Sequence, residues 1–442
     1  MSSPGRYHAF ELDISNLGGR YRAELIDSPS GQATGYFDLP ISEPDLKAWY
    51  EQRSGEYHLQ QIGASLFEAL FSGEIGNALI ESLARIEGES LRISLRLHNA
   101  PELALIPWEV MYSASQNRFL LLSKKTTIVR YLALRLPEPA MILVKPPLRI
   151  LSVFSNPLNL SGLDVEAEWR ALDTSFATLK AKGLVSLERI VPATLDNLRK
   201  RLMLDPIHVF HFVGHGVFDE ELDEGNLVFE DASGNAVLIE SNAIGNLLHS
   251  HSSLRFVFLN ACDSARSSAQ NIFTGLASNL VRQGVPAVIA MQRPIYDASA
   301  ARLADEFYQA LSLNYPLDAA LDHARLALAA NNDPEWSAPV LFSRSRDNLL
   351  IFVPPSCPYP GLPSFTVKQS TLFFGREREI NEILERLRLH PFLALIGPSG
   401  SGKSSLVYAG VIPILCRRVV TEQSWCVPVS YTHLRAHETV LD

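Results

Sequence analysis

Two short stretches hold residues whose types and positions suit covalent chemistry. His215 stands in HFVGHG (211–216) and Cys262 in FLNACDSA (258–265), each at the end of an apolar, β-branched or aromatic run. A thiolate is a competent nucleophile, but a free thiol with a pKa near about 8.5 is mostly protonated at neutral pH and needs a base beside it. The imidazole of His215 suits that task. Gly216 follows without a Cβ, so its backbone N–H, together with that of Cys262, can approach a substrate carbonyl and stabilise an oxyanion. The set suits nucleophilic attack on a carbonyl, and no third member of a triad is evident.

A second constellation suits phosphate. Gly397-Pro398-Ser399-Gly400-Ser401-Gly402-Lys403-Ser404 satisfies GxxxxGK[ST], after the apolar run FLALI, read as a buried strand, and before a helical run. Its glycines let successive N–H groups turn toward a polyphosphate at a helix N-terminus, which carries partial positive charge. Gly397, Ser399, Gly400, Ser401, Gly402, Lys403, Ser404 and Ser405 form the candidate ATP site, with Lys403 reaching the terminal phosphates and Ser404 on Mg²⁺. No apolar strand ending in acidic residues follows. The expectation is a P-loop without a Walker B carboxylate, the start of a larger ATPase, binding ATP weakly and hydrolysing it poorly.

Other candidates are weaker. His208, His211 and His215 are close in sequence, but VFHFV reads as a strand, which sends His208 and His211 to opposite faces, and zinc needs three or four convergent ligands. Both are expected between sheet and helices. The acidic run Asp219 to Glu224, Asp263 beside the cysteine, and Asp297 after a later strand either attract a basic substrate or serve ordinary roles, Asp297 as a helix cap.

The elements that position these residues follow from periodicity. From residue 148 onward, RILSVFS, VSLERIV, HVFHFV, RFVFLNA and PAVIAM alternate with helical stretches, the pattern of βαβ crossovers and a mostly parallel sheet with helices on both faces. His215 and Cys262 then both leave carboxyl ends of strands, the edge where open α/β sheets place their chemistry. NLVFEDASGNAVLIE reads as a hairpin across Ser233-Gly234-Asn235. Upstream, residues 1–142 mix strands (HAFELDI, YRAELID, SLRISLRLH, TTIVRYLAL) with helical HLQQIGASLFEALFSGEIGNALIESLARI, and Trp108 reads as core. Prolines 354, 355, 358, 360 and 363 make 354–371 a stiff linker. The expected organisation is an accessory region 1–142, an α/β domain 143–353, the linker, and a P-loop fragment 372–442.

Composition narrows the classes. The 442 residues are 47% hydrophobic and 20% charged, ordinary for packed globular domains. A net charge of −9 argues against nucleic acid as a partner. The four cysteines form no CxxC pair, so reduced thiols fit best. No signal sequence or membrane span is read, and the cytoplasm is the expected place.

At HFVGHG, FLNACDSA, the run 275–311 and DAALDHARLAL (318–328), the chain resembles the CHAT family of caspase-like peptidases over about residues 147–353; PELALIPWEVMY also resembles their upstream part. A histidine some fifty residues before the cysteine is the caspase order. LFFGRE and the P-loop resemble STAND-type signalling NTPases over about 359–415. The resemblance implies a caspase-like fold, a Cys262/His215 cysteine peptidase acting on protein or peptide substrates, ATP and Mg²⁺ at the P-loop, and oligomerisation through a complete STAND module in signalling or defence. It also implies that residues 1–142 are an inactive caspase-like half. The rival class is a non-cleaving signalling scaffold with an ATP switch.

Overall fold

A computed structural model describes residues 6–50, 56–160, 164–219, 224–261, 272–293, 295–354, 363–390 and 392–417. Two units separate, Met1–Pro354 and Pro355–Asp442. No helix among the described residues is long and apolar enough to cross a membrane.

In the first unit the alternating and β-branched runs become strands. They are β1 (Tyr7–Asn16), β2 (Tyr21–Asp27), β3 (Ala33–Phe37), β4 (Ser90–Asn99), β5 (Thr126–Tyr131), β6 (Leu148–Phe154) and β7 (Val185–Ile190). Next come β8 (Val209–Gly214), β9 (Gly216–Asp219), β10 (Glu224–Glu230), β11 (Ala236–Ile239), β12 (Phe256–Ala261), β13 (Ala287–Met291) and β14 (Pro339–Ser343). Eleven of them form one sheet in the order β7-β6-β8-β12-β13-β14-β5-β4-β1-β2-β3.

The sheet is two parallel blocks joined at one antiparallel seam. β7, β6, β8, β12 and β13 run parallel, and so do β14, β5, β4 and β1; β13 meets β14 antiparallel, with Ile289 opposite Leu341. Strands on both sides of residue 142 therefore share one sheet and one hydrophobic core. The antiparallel β2 and β3 close the far edge.

β8 shows why the mostly parallel reading holds. Each of its six residues is buried, as a strand covered on both faces requires. His211 stacks on Phe258 at 4.8 Å and faces Tyr308 of the helix Asp297–Ser312, while Phe212 meets Phe229 of β10 at 5.5 Å. Odd and even positions thus face different layers. The hairpin expected across Ser233-Gly234-Asn235 is β10 and β11, with Gly234 at φ +81° taking the turn.

Two local expectations change. The long helix read from 58 to 86 is two, Glu56–Leu70 and Gly73–Arg85, broken where Gly73 takes φ +56°. FLALI, read as a buried strand, is not one: Phe392 is 81% and Ile396 94% exposed, and no strand is present among the described residues of the second unit. A parallel strand exists only through its neighbours' hydrogen bonds. Part of the expected linker packs instead on the second unit, where Phe365 lies 5.5 Å from Phe373 in ring contact and Val367–Leu372 forms a 3₁₀ turn with a capping box from Thr366 and Gln369.

Candidate active site

The carboxyl ends of β6, β8 and β12 meet at one place. β8 pairs with β12 in parallel register, His211 with Phe258, Val213 with Asn260, and Gly214 with Ala261 as the last pair. His215 is the next residue after Gly214 and is 6% exposed; the N–H of Val228 donates to its carbonyl at 3.1 Å, which ties it to the hairpin strand β10. Gly214 has no room for a side chain: a Cβ there would lie 2.9 Å from the Phe212 ring and 3.2 Å from Ser155. Gly216 opens β9 opposite Leu227. β12 ends at Ala261, and Cys262 and Asp263 lie outside the described residues, as do residues 220–223 of the acidic run.

The other two histidines have settled positions. The N–H of Arg149 donates to His208 Nδ1 at 2.9 Å, and burial with Arg149 and Arg255 nearby pushes its pKa down to about 4. His211 lies between Phe258 and Tyr308, its Nδ1 3.3 Å from the phenol oxygen, and burial pushes it down to about 3. Both rings are neutral in the fold, whereas an unfolded chain protonates them near pH 6.5. The unfolded state then binds more protons, so stability falls as pH drops from about 6.5 toward the folded values. We predict that His211→Phe flattens this acid dependence, read as urea midpoints at pH 7 and pH 5; an unchanged slope would show that the ring is not held neutral.

Asp297 was expected to cap a helix or to line a pocket. It is the first residue of the helix Asp297–Ser312, one position after the cap residue Tyr296, which makes no side-chain cap bond, so Asp297 stands in the first turn rather than at the cap. Instead it lies on an open cleft at the carboxyl edge together with Phe154, Glu168, His211, Val213 and Asn260. Sequence reasoning missed Glu168 and Asn260. Asn260 sits two residues before Cys262 and could have been found by period 2; Glu168 arrives from the helix Val165–Ser175, whose packing no local pattern reveals.

In the second unit, Gly400 and Gly402 take φ of +79° and +80°, and a helical run starts at Lys403. The Lys403 ammonium donates to the carbonyls of Gly397 at 2.6 Å and Pro398 at 2.8 Å. The loop is thus wrapped around its own cation. Ser405 is turned to another use, accepting the N–H of Phe365 at 3.0 Å.

A family profile for the CHAT domain matches residues 61–360 of the chain. The chain belongs to the CHAT-domain family. The CHAT domain is followed by a match to the family Novel STAND NTPase 1 over residues 358–439, beyond the span that the motifs alone suggested. No curated protein matches the chain. Among solved structures, it is similar to the Arg specific cysteine proteinase gingipain R, with 12% identity, TM-score 0.39 and 78% of each chain covered. It is also similar to the pro- and mature domains of Porphyromonas gingivalis RgpB, with 14% identity, TM-score 0.39, and 68% of this chain and 71% of that one covered. A third is the separase–securin complex of Saccharomyces cerevisiae, with 11% identity, TM-score 0.45, and 76% of this chain but 30% of that one covered.

Proposed function

We propose that this CHAT chain is a cysteine endopeptidase in which Cys262 attacks a peptide carbonyl, His215 takes the thiol proton and returns it to the leaving amine, and Gly216 N–H helps hold the oxyanion. The observation that carries the reading is the register of β8 and β12. Val213 and Asn260 are paired on one face, and so are Gly214 and Ala261 one step on. One further step of that register would pair 215 with 262, on the same face as 213 and 260 because side chains alternate along a strand. Neighbouring strands lie about 4.8 Å apart, so two side chains leaving the same face at adjacent strand ends are near enough to turn into hydrogen-bond reach of each other.

The test is a thiol-directed activity probe on residues 1–442. Labelling confined to Cys262, and lost in His215→Ala, supports the dyad. Equal labelling of Cys357, Cys416 and Cys426 would favour a scaffold that does not cleave.

The second unit reads as an ATP and Mg²⁺ site that governs the peptidase through assembly. Gly400 and Gly402 hold the left-handed backbone that a phosphate cradle needs, and the Lys403 ammonium now held by loop carbonyls is free to exchange them for phosphate oxygens. Ser404 would reach Mg²⁺. A bound nucleotide biases assembly only by its differential affinity for the assembled state. Lys403→Ala is expected to weaken ATP binding by about tenfold or more, since charge-assisted bonds are lost; unchanged affinity in a titration would remove the assignment.

A further inference from the structure

At the sheet edge opposite the proposed dyad, the amino ends of the strands carry a row of cations. The His208 N–H donates to the Arg149 carbonyl at 3.0 Å and the Arg255 N–H to the His208 carbonyl at 2.8 Å, so the parallel registers of β6, β8 and β12 run on through these residues. Two residues before the pair Val257 and Val288, Arg255 stands level with Pro286, whose carbonyl accepts the Arg344 N–H at 3.1 Å where β13 meets β14. Arg149, His208, Arg255, Pro286 and Arg344 thus form one line across five strands, and side-chain alternation puts them on one face. Arg255 and Arg344 are two strand spacings apart, about 10 Å.

These two arginines hold their charge without a counter-ion. Both are half-buried. Arg255 Nη1 donates to the carbonyls of Ser252 and Leu254, each at 2.8 Å, and Arg344 donates from Nη1 to Pro137 at 2.6 Å and from Nη2 to Gly284 at 3.0 Å. Among the described residues neither has a carboxylate partner. Carboxylates on adjoining segments are engaged elsewhere: Asp205 lies 3.7 Å from Arg149, Glu138 accepts the Arg346 N–H at 2.8 Å, and Asp347 accepts the Leu349 N–H at 3.0 Å. Carbonyls satisfy the donors but leave the net charge, and a half-buried charge without an opposite one is costly. Both groups register that cost: burial, and then the like charge of Arg344, lowers the Arg255 pKa, and burial lowers that of Arg344. His208 is neutral and adds nothing to the charge.

Two cations call for two negative charges. A carboxylate neutralises one of them, whereas a phosphomonoester carries about −1.5 to −2 near neutral pH on three acceptor oxygens, and guanidinium forks match that geometry. Donors remain for it, since Nη2 of Arg255 and one N–H on each terminal nitrogen of Arg344 are unengaged. We propose that Arg255 and Arg344, on either side of Pro286, form a binding site for a phosphomonoester dianion. The site stands roughly 20 Å from the dyad, the length of β8. It does not rest on the peptidase reading.

Residues 1–442 carrying Lys403→Ala are the parent for the test, because the P-loop is itself a candidate for phosphate. At fixed ionic strength, inorganic phosphate in place of chloride should raise the melting temperature of this parent by mass action, and Arg255→Gln and Arg344→Gln should each remove most of that rise. Arg255→Lys, which keeps the charge but not the fork, should retain only part of it. A short peptide with a central phosphoserine that binds about tenfold or more tightly than its serine counterpart, with the gain lost in both Gln variants, names a phosphoprotein as the ligand. A phosphate-dependent rise without that gain names a free phosphate compound. Gln variants that melt earlier yet keep the full phosphate rise would show that the two arginines only hold the loops after the helices Ser241–His249 and Ile272–Arg282, and the site would be overturned. A parent that phosphate fails to stabilise would overturn it too.

Discussion

Cys262→Ala is expected to reduce peptide turnover by about a thousandfold or more, His215→Ala by a similar factor, and the double variant by little beyond either one. Residues that act as one nucleophilic unit are non-additive, because once the base is gone the thiol has no one to receive its proton, and once the thiol is gone the base has nothing to activate. The His215 carbonyl accepts the Val228 N–H through the backbone, a bond that His215→Ala retains, and a urea midpoint for each variant separates loss of chemistry from loss of fold. kcat/KM for the three variants on one peptide measures the cycle. Additive losses would mean that the two residues act separately, and retained turnover in Cys262→Ala would end the peptidase reading.

Much of this arrangement was legible in the sequence. The runs that became β6, β7, β8, β12 and β13 are rich in β-branched or aromatic residues and gave strands five to seven residues long, so their places along the chain could be read from local pattern. The same is true of the hairpin at Gly234. β14 was not legible. PVLFS is one more short apolar run, and nothing in it says that it will run antiparallel to β13 and parallel to β5, with Phe342 opposite Arg130. Such a seam is set by which edges remain unpaired after the two blocks form, a property of the whole sheet. FLALI shows the converse. It has the composition of a core strand, but strand formation depends on partners, and none is present among the described residues of its unit.

The charged residues were least legible. Arg92, Glu109, Arg130, Asp318 and Glu335 look like surface residues by composition, yet each is 6% exposed or less. Their burial follows from pairing across elements remote in sequence: Arg92 with Asp318, Arg130 with Glu109 and Gln292, and Arg293 with Glu335. Arg293 also lies over the Trp49 ring at 4.8 Å.

Those pairs make residues 1–142 inseparable from the rest of the first unit, which leads to the second large effect. Removing 1–142 takes Arg92 from the buried carboxylate of Asp318, which it holds through two nitrogens, and takes Arg130 and Glu109 from Gln292. It also uncovers Trp336, now in edge contact with Phe119 at 4.9 Å, and leaves β14 without its neighbour β5. An uncompensated buried charge costs about 3–5 kcal/mol by itself, a large share of the roughly 5–15 kcal/mol that holds a typical domain together. Residues 143–353 alone are therefore expected to be insoluble or to lack a cooperative transition, while 1–354 unfolds as one. In that longer chain Arg92→Ala should lower the unfolding free energy by about 3–5 kcal/mol, because it strands Asp318. Pairing it with Asp318→Leu should recover most of the loss, since two apolar residues need no counter-charge. A soluble, cooperative and fully active 143–353 fragment would sink this account, and a double variant no more stable than Arg92→Ala would show that packing rather than the ion pair carries the contact.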